Sequence, residues 1–127
     1  MKYLLTICSN DKNPAEGMLP ARERYVSDFM NRVIEEGERT ETPVLILPGK
    51  FGLLNPDTEI PYYDYLLTAD KVDSKVPAMA EQLRKLEADQ ITAYLKKPRT
   101  TPNWEAYYAL IEKSAAAVGA ELEFAHF

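Results

Sequence analysis

Four short runs of strand type alternate along this chain with three stretches of helical period, and this alternation is the feature that most restricts its fold. The first three runs are apolar and lack the 3.6-residue period, which is typical of strands buried on both faces. The four runs are Lys2 to Cys8, Val44 to Leu47, Ile91 to Leu95 and Glu121 to Phe124. Because helices separate them, right-handed crossovers and a parallel sheet are predicted.

Each helical stretch carries its apolar residues along one stripe, as expected for a helix that packs on a sheet. The predicted helices are Ala21 to Glu36 with Gly37 as C-cap, Val76 to Ala88 with Pro77 in its first turn, and Pro102 to Gly119 with Thr101 as N-cap. The expected fold is α/β: a small Rossmann-like three-layer sandwich, in which three main helices flank a four-stranded, mainly parallel sheet. No linker or repeat divides it, so residues 1–127 are predicted to form a single domain.

Charge and cysteine content restrict the function and the compartment. A net charge of −5 argues against a protein that coats nucleic acid with its whole surface, although a small basic patch remains possible. A single cysteine, Cys8, forms no internal disulfide, which favours a reducing compartment. The run Tyr3 to Cys8 is too short to span a bilayer and no signal peptide is recognisable, so a cytoplasmic protein without membrane contact is expected. No metal or redox cofactor is indicated, since the one histidine, His126, has no Cys/His cluster around it.

Basic residues follow the predicted strands at their carboxyl ends, where open α/β sheets bind ligands. They are Lys12, Lys50, Lys96 and Lys97, and Ser9 comes directly after the first strand. Such a concentration of cations in an acidic protein indicates an anionic ligand, most simply a phosphate.

Gly49-Lys50-Phe51-Gly52 is the sharpest motif after a strand. The glycines permit positive φ and close approach of backbone N–H groups to a ligand, while Lys50 supplies charge. The spacing is neither that of a P-loop nor that of a dinucleotide fingerprint. A strand exit that merely requires glycine explains the motif equally well.

The segment from Gly49 to Asp70 is predicted to be irregular and long enough to suggest a functional loop, with Tyr65 to Leu67 forming either a small strand or a helical turn. Its Asp57, Tyr63 and Asp64 are candidates to hold ribose hydroxyls, stack on a base or transfer a proton. Alternatively, Asn55 to Thr58 is a turn with Asx chemistry and the tyrosines pack over the sheet edge.

Arg22 and Arg24 begin the first predicted helix, where arginine does not complement the helix dipole. A ligand or acidic partner explains them, and so does a solvated helix turn. Cys8 is interpreted as a small apolar filler of its strand.

Several motifs together resemble one family. They are Cys8-Ser9 with Lys12, Pro20-Ala21-Arg22 with Tyr25 and Phe29, the stretch Leu47 to Leu54, and Asp57 with Ile60 and Tyr63-Asp64. These resemble a family of small α/β proteins of bacteria and their viruses, a domain of unknown function that is distantly similar to the peroxide-stress protein YaaA. The resemblance implies a Rossmann-like fold in which the shared residues line one pocket. A remoter likeness to the lysine-bearing domain of archaeosine synthase implies modified nucleobases.

The leading hypothesis is a protein, with catalysis left open, that binds a nucleotide or nucleobase-containing phosphorylated ligand at the strand carboxyl ends. Lys50 and the backbone of Gly49 and Gly52 would bind the anion, and Ser9, Lys12 and Arg22 would complete the rim. Asp57, Tyr63 and Asp64 are the catalytic candidates, which would hold the sugar or base or transfer a proton. The alternatives are a nucleic-acid-binding stress or phage protein, which the net charge disfavours, and a non-catalytic protein-interaction module of a mobile element.

Overall fold

The computed structural model describes residues 1–127 as six strands and four α-helices. In chain order these are β1 (Lys2–Ile7), β2 (Leu19–Pro20), α1 (Ala21–Arg24), α2 (Asp28–Thr40), β3 (Val44–Leu47), β4 (Glu59–Ile60), α3 (Val72–Lys85), β5 (Gln90–Tyr94), α4 (Glu105–Ala117) and β6 (Glu121–Ala125). A short 3₁₀ turn, Ala69–Lys71, leads into α3. None of the helices combines the length and the apolar character needed to cross a lipid bilayer.

The main sheet has four strands in the order β3-β1-β5-β6. All three strand pairs are parallel, so the predicted Rossmann-like α/β fold is confirmed. After β1 the chain adds β3 on one side, and it then returns to place β5 on the other side of β1. The strand order therefore reverses between β1 and β5, which is where folds of this class bind ligands.

Two apolar cores lie on opposite faces of the sheet, because successive side chains of a strand point to opposite faces. Tyr3, Leu5 and Ile7 of β1 pack on the face covered by α3 and α4. Leu4, from the same strand, packs with Met30 and other residues of α2 on the opposite face. Helices therefore cover both faces, as the three-layer prediction requires.

The predicted first helix is wrong in its bounds, because the structure divides it into α1 and α2. Tyr25 is extended, with φ −87° and ψ 126°, and pairs with Lys12 in an isolated bridge. Ser27 then caps α2 by accepting a hydrogen bond from the Met30 N–H at 3.1 Å. At this break the backbone of Arg24 and Val26 forms hydrogen bonds with Asn13 and Asp11 in the loop after β1, in place of bonds within a helix. Gly37 is no cap but a buried residue of α2, and a Cβ there would lie 2.4 Å from Val44 Cγ2.

The other two helices also begin elsewhere than predicted. Helix α3 begins at Val72 and ends at Lys85, so Pro77 lies inside it rather than in its first turn. Helix α4 begins at Glu105, and Thr101 is no N-cap, because the segment before Glu105 forms turns in which the Trp104 N–H donates to the Thr101 carbonyl at 3.0 Å. Strands β1 and β5 end one residue earlier than predicted and β6 one residue later, which is the usual uncertainty of element ends.

The long loop after β3 is tied to the rest of the molecule at two points. Strand β4 pairs antiparallel with β2 in a second, two-stranded sheet that the sequence did not predict. Leu54 exchanges both backbone hydrogen bonds with Ile46 at 2.7 and 2.9 Å and so covers the free edge of β3. Residues 65–67 form neither the strand nor the helical turn that was expected, and they run as irregular backbone.

Candidate functional site

A cavity of about 560 Å³, here called the switch-point cavity, opens at the carboxyl ends of β1 and β5. One wall is the segment that leaves β1, and a second is the start of α2. The remaining walls come from Lys96 and Lys97 after β5 and from the segment that enters α4. Its polar and aromatic lining residues are Thr6, Cys8, Ser9, Asn10, Asp11, Ser27, Asp28, Phe29, Lys96, Lys97, Asn103, Trp104 and Tyr107.

Charges of both signs line the switch-point cavity. Lys96 and Lys97 are exposed, and neither forms an ion pair. Asp11 and Asp28 are the carboxylates of the same cavity. The third basic residue of this run, Arg99, is instead held by ion pairs with Glu105 and Glu112. Only the two lysines of the run are therefore available to a ligand in the cavity.

The half-buried Cys8 thiol and the buried Tyr107 hydroxyl contribute to the lining of the switch-point cavity. The Cys8 thiol donates to the Pro48 carbonyl at 3.3 Å, and its sulfur lies 3.7 Å from the Tyr107 hydroxyl. The Tyr107 oxygen in turn accepts a hydrogen bond from the Leu67 N–H at 3.4 Å. Burial raises the pKa of Cys8 above its ordinary value, so the thiol stays protonated at neutral pH and is a poor nucleophile.

Tyr63, a predicted site residue, lies in the core next to Lys12 and Lys50 rather than in the switch-point cavity. Only 4% of it is exposed, and its hydroxyl donates to the Pro48 carbonyl at 3.3 Å and contacts the Tyr25 hydroxyl. Burial raises the pKa of both phenols. The Lys12 ammonium lies 4.8 Å from the centroid of the Tyr63 ring, and the Lys50 ammonium lies 5.8 Å from it.

The predicted acidic residues Asp57 and Asp64 lie on the surface. Asp57 Oδ1 is 3.0 Å from Arg22 Nε, and Arg22 also reaches Glu38 at 3.6 Å. The Asp57 N–H donates to Asn55 Oδ1 at 2.8 Å, so the Asx turn considered as an alternative is present. Asp64 is exposed. Neither carboxylate lines the switch-point cavity.

Gly49, Lys50 and Gly52 line a second, smaller cavity of about 350 Å³, here called the turn cavity, between the turn after β3 and α3. Gly49 has φ +81°, as the motif predicted, and permits the turn. Gly52 serves a different purpose, because a Cβ at this position would lie 2.7 Å from both Nε2 and Oε1 of Gln82. The six predicted ligand-binding residues are thus divided, with Ser9 in the switch-point cavity, these three in the turn cavity, and Lys12 and Arg22 in neither.

Sequence reasoning did not identify Arg24 as a buried structural residue. Its guanidinium is fully buried and donates to four carbonyl oxygens. These are the carbonyls of Asn13 at 2.7 Å, Ala15 at 2.9 Å, Gly17 at 2.6 Å and Ile60 at 3.4 Å. No acidic partner or ligand is needed to explain this arginine, because its two terminal nitrogens donate to backbone acceptors, although Nε is buried without a partner.

Three cavity residues, Asp11, Asp28 and Trp104, were also missed as site residues, whereas Phe29 was included through the family resemblance. A usable signal was present for Asp28, since Ser27-Asp28 is a good helix start and would have placed the beginning of α2 beside the end of β1. Trp104 was assigned only to the buried stripe of α4, and no local pattern distinguishes a stripe residue from a cavity wall. No group of three or more His, Cys, Asp and Glu side chains is placed to hold a metal ion.

Comparison with known proteins identifies a family match. The model of a family of unknown function, DUF6884, matches residues 4–97, which include every strand of the main sheet except β6. No curated protein and no solved structure matches the chain. The matched region ends at Lys97 and so contains both lysines of the switch-point cavity, whereas Trp104 and Tyr107 lie outside it.

Proposed function

We propose that this chain, which belongs to the family of unknown function DUF6884, binds a small phosphorylated, nucleotide-like ligand in the switch-point cavity. The observation that carries the proposal is the position of the cavity, directly between the carboxyl ends of the two strands where the sheet order reverses. Its volume of about 560 Å³ lies in the range of small-molecule sites.

Lys96 and Lys97 support the anionic half of this ligand. Both line the cavity and neither is neutralised by a carboxylate of the protein. The cavity also includes Ser27, the N-cap of α2, where the helix dipole favours negative charge. A phosphate bound here replaces the counterions that these ammonium groups otherwise attract from solvent.

The aromatic and acidic residues of the cavity support the nucleoside half. Trp104 and Phe29 offer π-faces, on which any base can stack. Asp11 and Asp28 offer carboxylate oxygens, which accept hydrogen bonds from ribose hydroxyls. A cavity that contains cations, carboxylates and aromatic rings suits a nucleotide better than it suits free phosphate or an apolar ligand.

The test uses Trp104, because it is the only tryptophan of the chain and lies in the wall of the cavity. Purified protein is titrated with nucleotides, nucleosides, nucleobases and phosphorylated sugars while tryptophan fluorescence is recorded. A ligand at about one hundred times its Kd should also add about 2.7 kcal/mol to the free energy of unfolding, which a thermal-shift assay detects. We expect a nucleotide to quench Trp104 and the matching nucleoside to bind more weakly.

Two double variants assign the site. Lys96→Met with Lys97→Met should weaken binding by about tenfold or more, whereas Lys2→Met with Lys85→Met removes the same charge elsewhere and should leave it unchanged. Lys50→Ala decides between this cavity and the site predicted from the sequence. If Lys50→Ala abolishes binding and the Lys96/Lys97 variant does not, the ligand lies at the Gly49 turn and our proposal is wrong.

The proposal concerns binding, because the predicted catalytic group of Asp57, Tyr63 and Asp64 does not line the cavity. Turnover of any ligand found is the assay that follows, and Asp11 and Asp28 are the carboxylates to replace in it. The similarity to YaaA, the link to modified nucleobases and the cytoplasmic location stay predictions from the sequence and do not enter this argument.

A further inference from the structure

We infer that the turn cavity is a second binding site, which takes a small organic anion with an apolar body. This cavity and the switch-point cavity have no lining residue in common. The inference is therefore independent of the proposed nucleotide site. The turn cavity lies where Gly49, Lys50 and Gly52 of the predicted motif face α3.

The floor of the turn cavity is apolar and its rim is cationic. Leu47, Met79 and Leu110, each almost fully buried, form the floor. Lys50 stands on the turn side of the rim, and Ser74 and Lys75 stand on the α3 side. An apolar group on the floor and an anionic group at the rim would each meet a matching surface.

No carboxylate lines the turn cavity, although the chain has 20 acidic residues and a net charge of −5. Lys50 and Lys75 form no ion pair anywhere in the molecule. Instead, the Lys50 ammonium lies 5.7 Å from the Phe51 ring centroid and the Lys75 ammonium 5.3 Å from that of Tyr65. Aromatic faces attract a cation without neutralising it, so both charges remain available to an anion.

The turn side of the cavity is held in place by the protein itself. Gln82 Oε1 accepts a hydrogen bond from the Leu53 N–H at 2.8 Å, and Gln82 Nε2 donates to the Leu53 carbonyl at 3.4 Å. Gly52 permits this amide to approach the backbone, because any Cβ there would collide with it. A wall that is fixed before binding lowers the entropic cost of binding.

The volume of about 350 Å³ sets the size of the ligand, since it accommodates a bicyclic aromatic body with one anionic group. A carboxylate, sulfonate or phosphate monoester on such a body satisfies both the rim and the floor. A nucleotide with several phosphates is too highly charged for the apolar floor, which distinguishes this ligand from that of the switch-point cavity.

Anilinonaphthalene sulfonate is the probe for this site, because it combines a sulfonate with an aromatic body and fluoresces when it leaves water. The native protein is titrated with it and, separately, with the uncharged phenylnaphthylamine. We expect saturable binding of the sulfonate and binding of the uncharged analogue that is weaker by about tenfold or more. Retained near-ultraviolet circular dichroism at saturation verifies that the folded protein binds the probe.

Charge-reversal variants locate the probe. Lys50→Glu with Lys75→Glu should weaken sulfonate binding by at least about tenfold, and Ala78→Phe, which fills the cavity from α3, should reduce it as well. Lys2→Glu with Lys85→Glu changes the net charge equally and should have no effect beyond a small change in long-range attraction. Lys96→Glu with Lys97→Glu should also leave the binding unchanged.

Three results would each overturn the inference. The native protein fails to bind the sulfonate at millimolar concentration, the uncharged analogue binds equally well, or binding is lost in the Lys96/Lys97 variant and kept in the Lys50/Lys75 variant. The last result would move the probe to the switch-point cavity without affecting the proposed nucleotide site.

Discussion

Positive charge is used differently in two regions of this protein. One region is the loop from Asn13 to Gly17, to which Arg24 donates hydrogen bonds, and the other is the rims of the two cavities, which carry lysines. Arg24 is fully buried, and four backbone carbonyls accept hydrogen bonds from its guanidinium. Lys50, Lys75, Lys96 and Lys97 line cavities and have no carboxylate partner. The arginine stabilises the folded chain, whereas the lysines leave their charge available to a molecule from solvent.

The hydrogen-bond and ion-pair partners of a basic side chain separate structural cations from candidate binding cations. Arginine has five donors in a rigid fork and satisfies several fixed backbone acceptors, while lysine carries a compact charge on a flexible stem. In this protein Arg22 and Arg99 follow the same division as Arg24, since both are held by carboxylates. An unpaired lysine that also lines a cavity is therefore the better guide to a ligand site.

Removal of Arg24 should have the largest effect on stability. Arg24→Ala leaves four carbonyl oxygens beneath the loop without their charged donor, and we expect a loss of about 3 kcal/mol or more in the free energy of unfolding. Arg22→Ala, two residues away, breaks only exposed ion pairs and should cost less than about 1 kcal/mol. Urea denaturation measures both, and equal losses would remove the contrast between buried and exposed arginines.

Alkaline pH should lower the stability of the folded protein through its poorly solvated thiol and phenol groups. The pKa values of Cys8, Tyr25, Tyr63 and Tyr107 are all raised above their ordinary values, 9.0 for the thiol and 10.0 for the phenols, chiefly by burial. The unfolded chain therefore loses these protons first as the pH rises. The stability that this difference provides is complete below the ordinary values and declines above them.

We expect a decrease on the order of 1 kcal/mol or more in the free energy of unfolding between about pH 8 and about pH 11. Tyr25→Phe with Tyr63→Phe removes two of the titrating groups together, so that neither hydroxyl loses its partner in the pair. Its stability should decline less steeply with pH than that of the native protein. An identical slope in the two proteins would show that these phenols do not cause the alkaline loss.

Replacement of the cavity lysines should have the smallest effect on stability. Lys50→Met, Lys75→Met, Lys96→Met and Lys97→Met, made singly, remove charges that contact no carboxylate, and each should change the free energy of unfolding by no more than about 0.5 kcal/mol. Chemical denaturation without ligand is the measurement. A loss comparable to that of Arg24→Ala at any of these positions would make that lysine a structural residue and end its candidacy as a binding group.

The predicted helix over Ala21 to Glu36 shows where local reasoning failed. The apolar stripe through Tyr25 and Phe29 fits a continuous helix, yet Tyr25 is extended because the loop after β1 pairs with it and the Asp11 carbonyl accepts the Val26 N–H at 2.9 Å. These partners are distant in sequence. The periodicity of neighbouring residues does not indicate such partners. The N-cap Ser27, in contrast, could have been recognised from the local sequence.

The sequence predicted the edge of the sheet at which the candidate site lies, but few of its residues. Strand ends in a parallel sheet are determined by topology, so the carboxyl edge was identified, with Ser9 as a site residue and with Lys96 and Lys97 only as basic residues that follow a strand. Tyr63 was also selected, because a tyrosine in a polar loop resembles a ligand residue. Its side chain instead packs against Tyr25, with ring centroids 6.2 Å apart, and its hydroxyl is satisfied within the core.

The sequence by itself determined the succession of the main strands and helices along the chain, the parallel sheet and the edge at which loops gather, because hydrophobic period and turn chemistry are local properties. Only the tertiary structure decided the order of the strands within the sheet and which of the loops meet. Pro48 and Gly49 are buried. The Pro48 carbonyl accepts hydrogen bonds from Cys8 and Tyr63, and Gly49 lies close to Tyr107. Lys50 and Ser9 consequently line different cavities, since packing around a buried backbone depends on contacts between residues that are far apart in the chain.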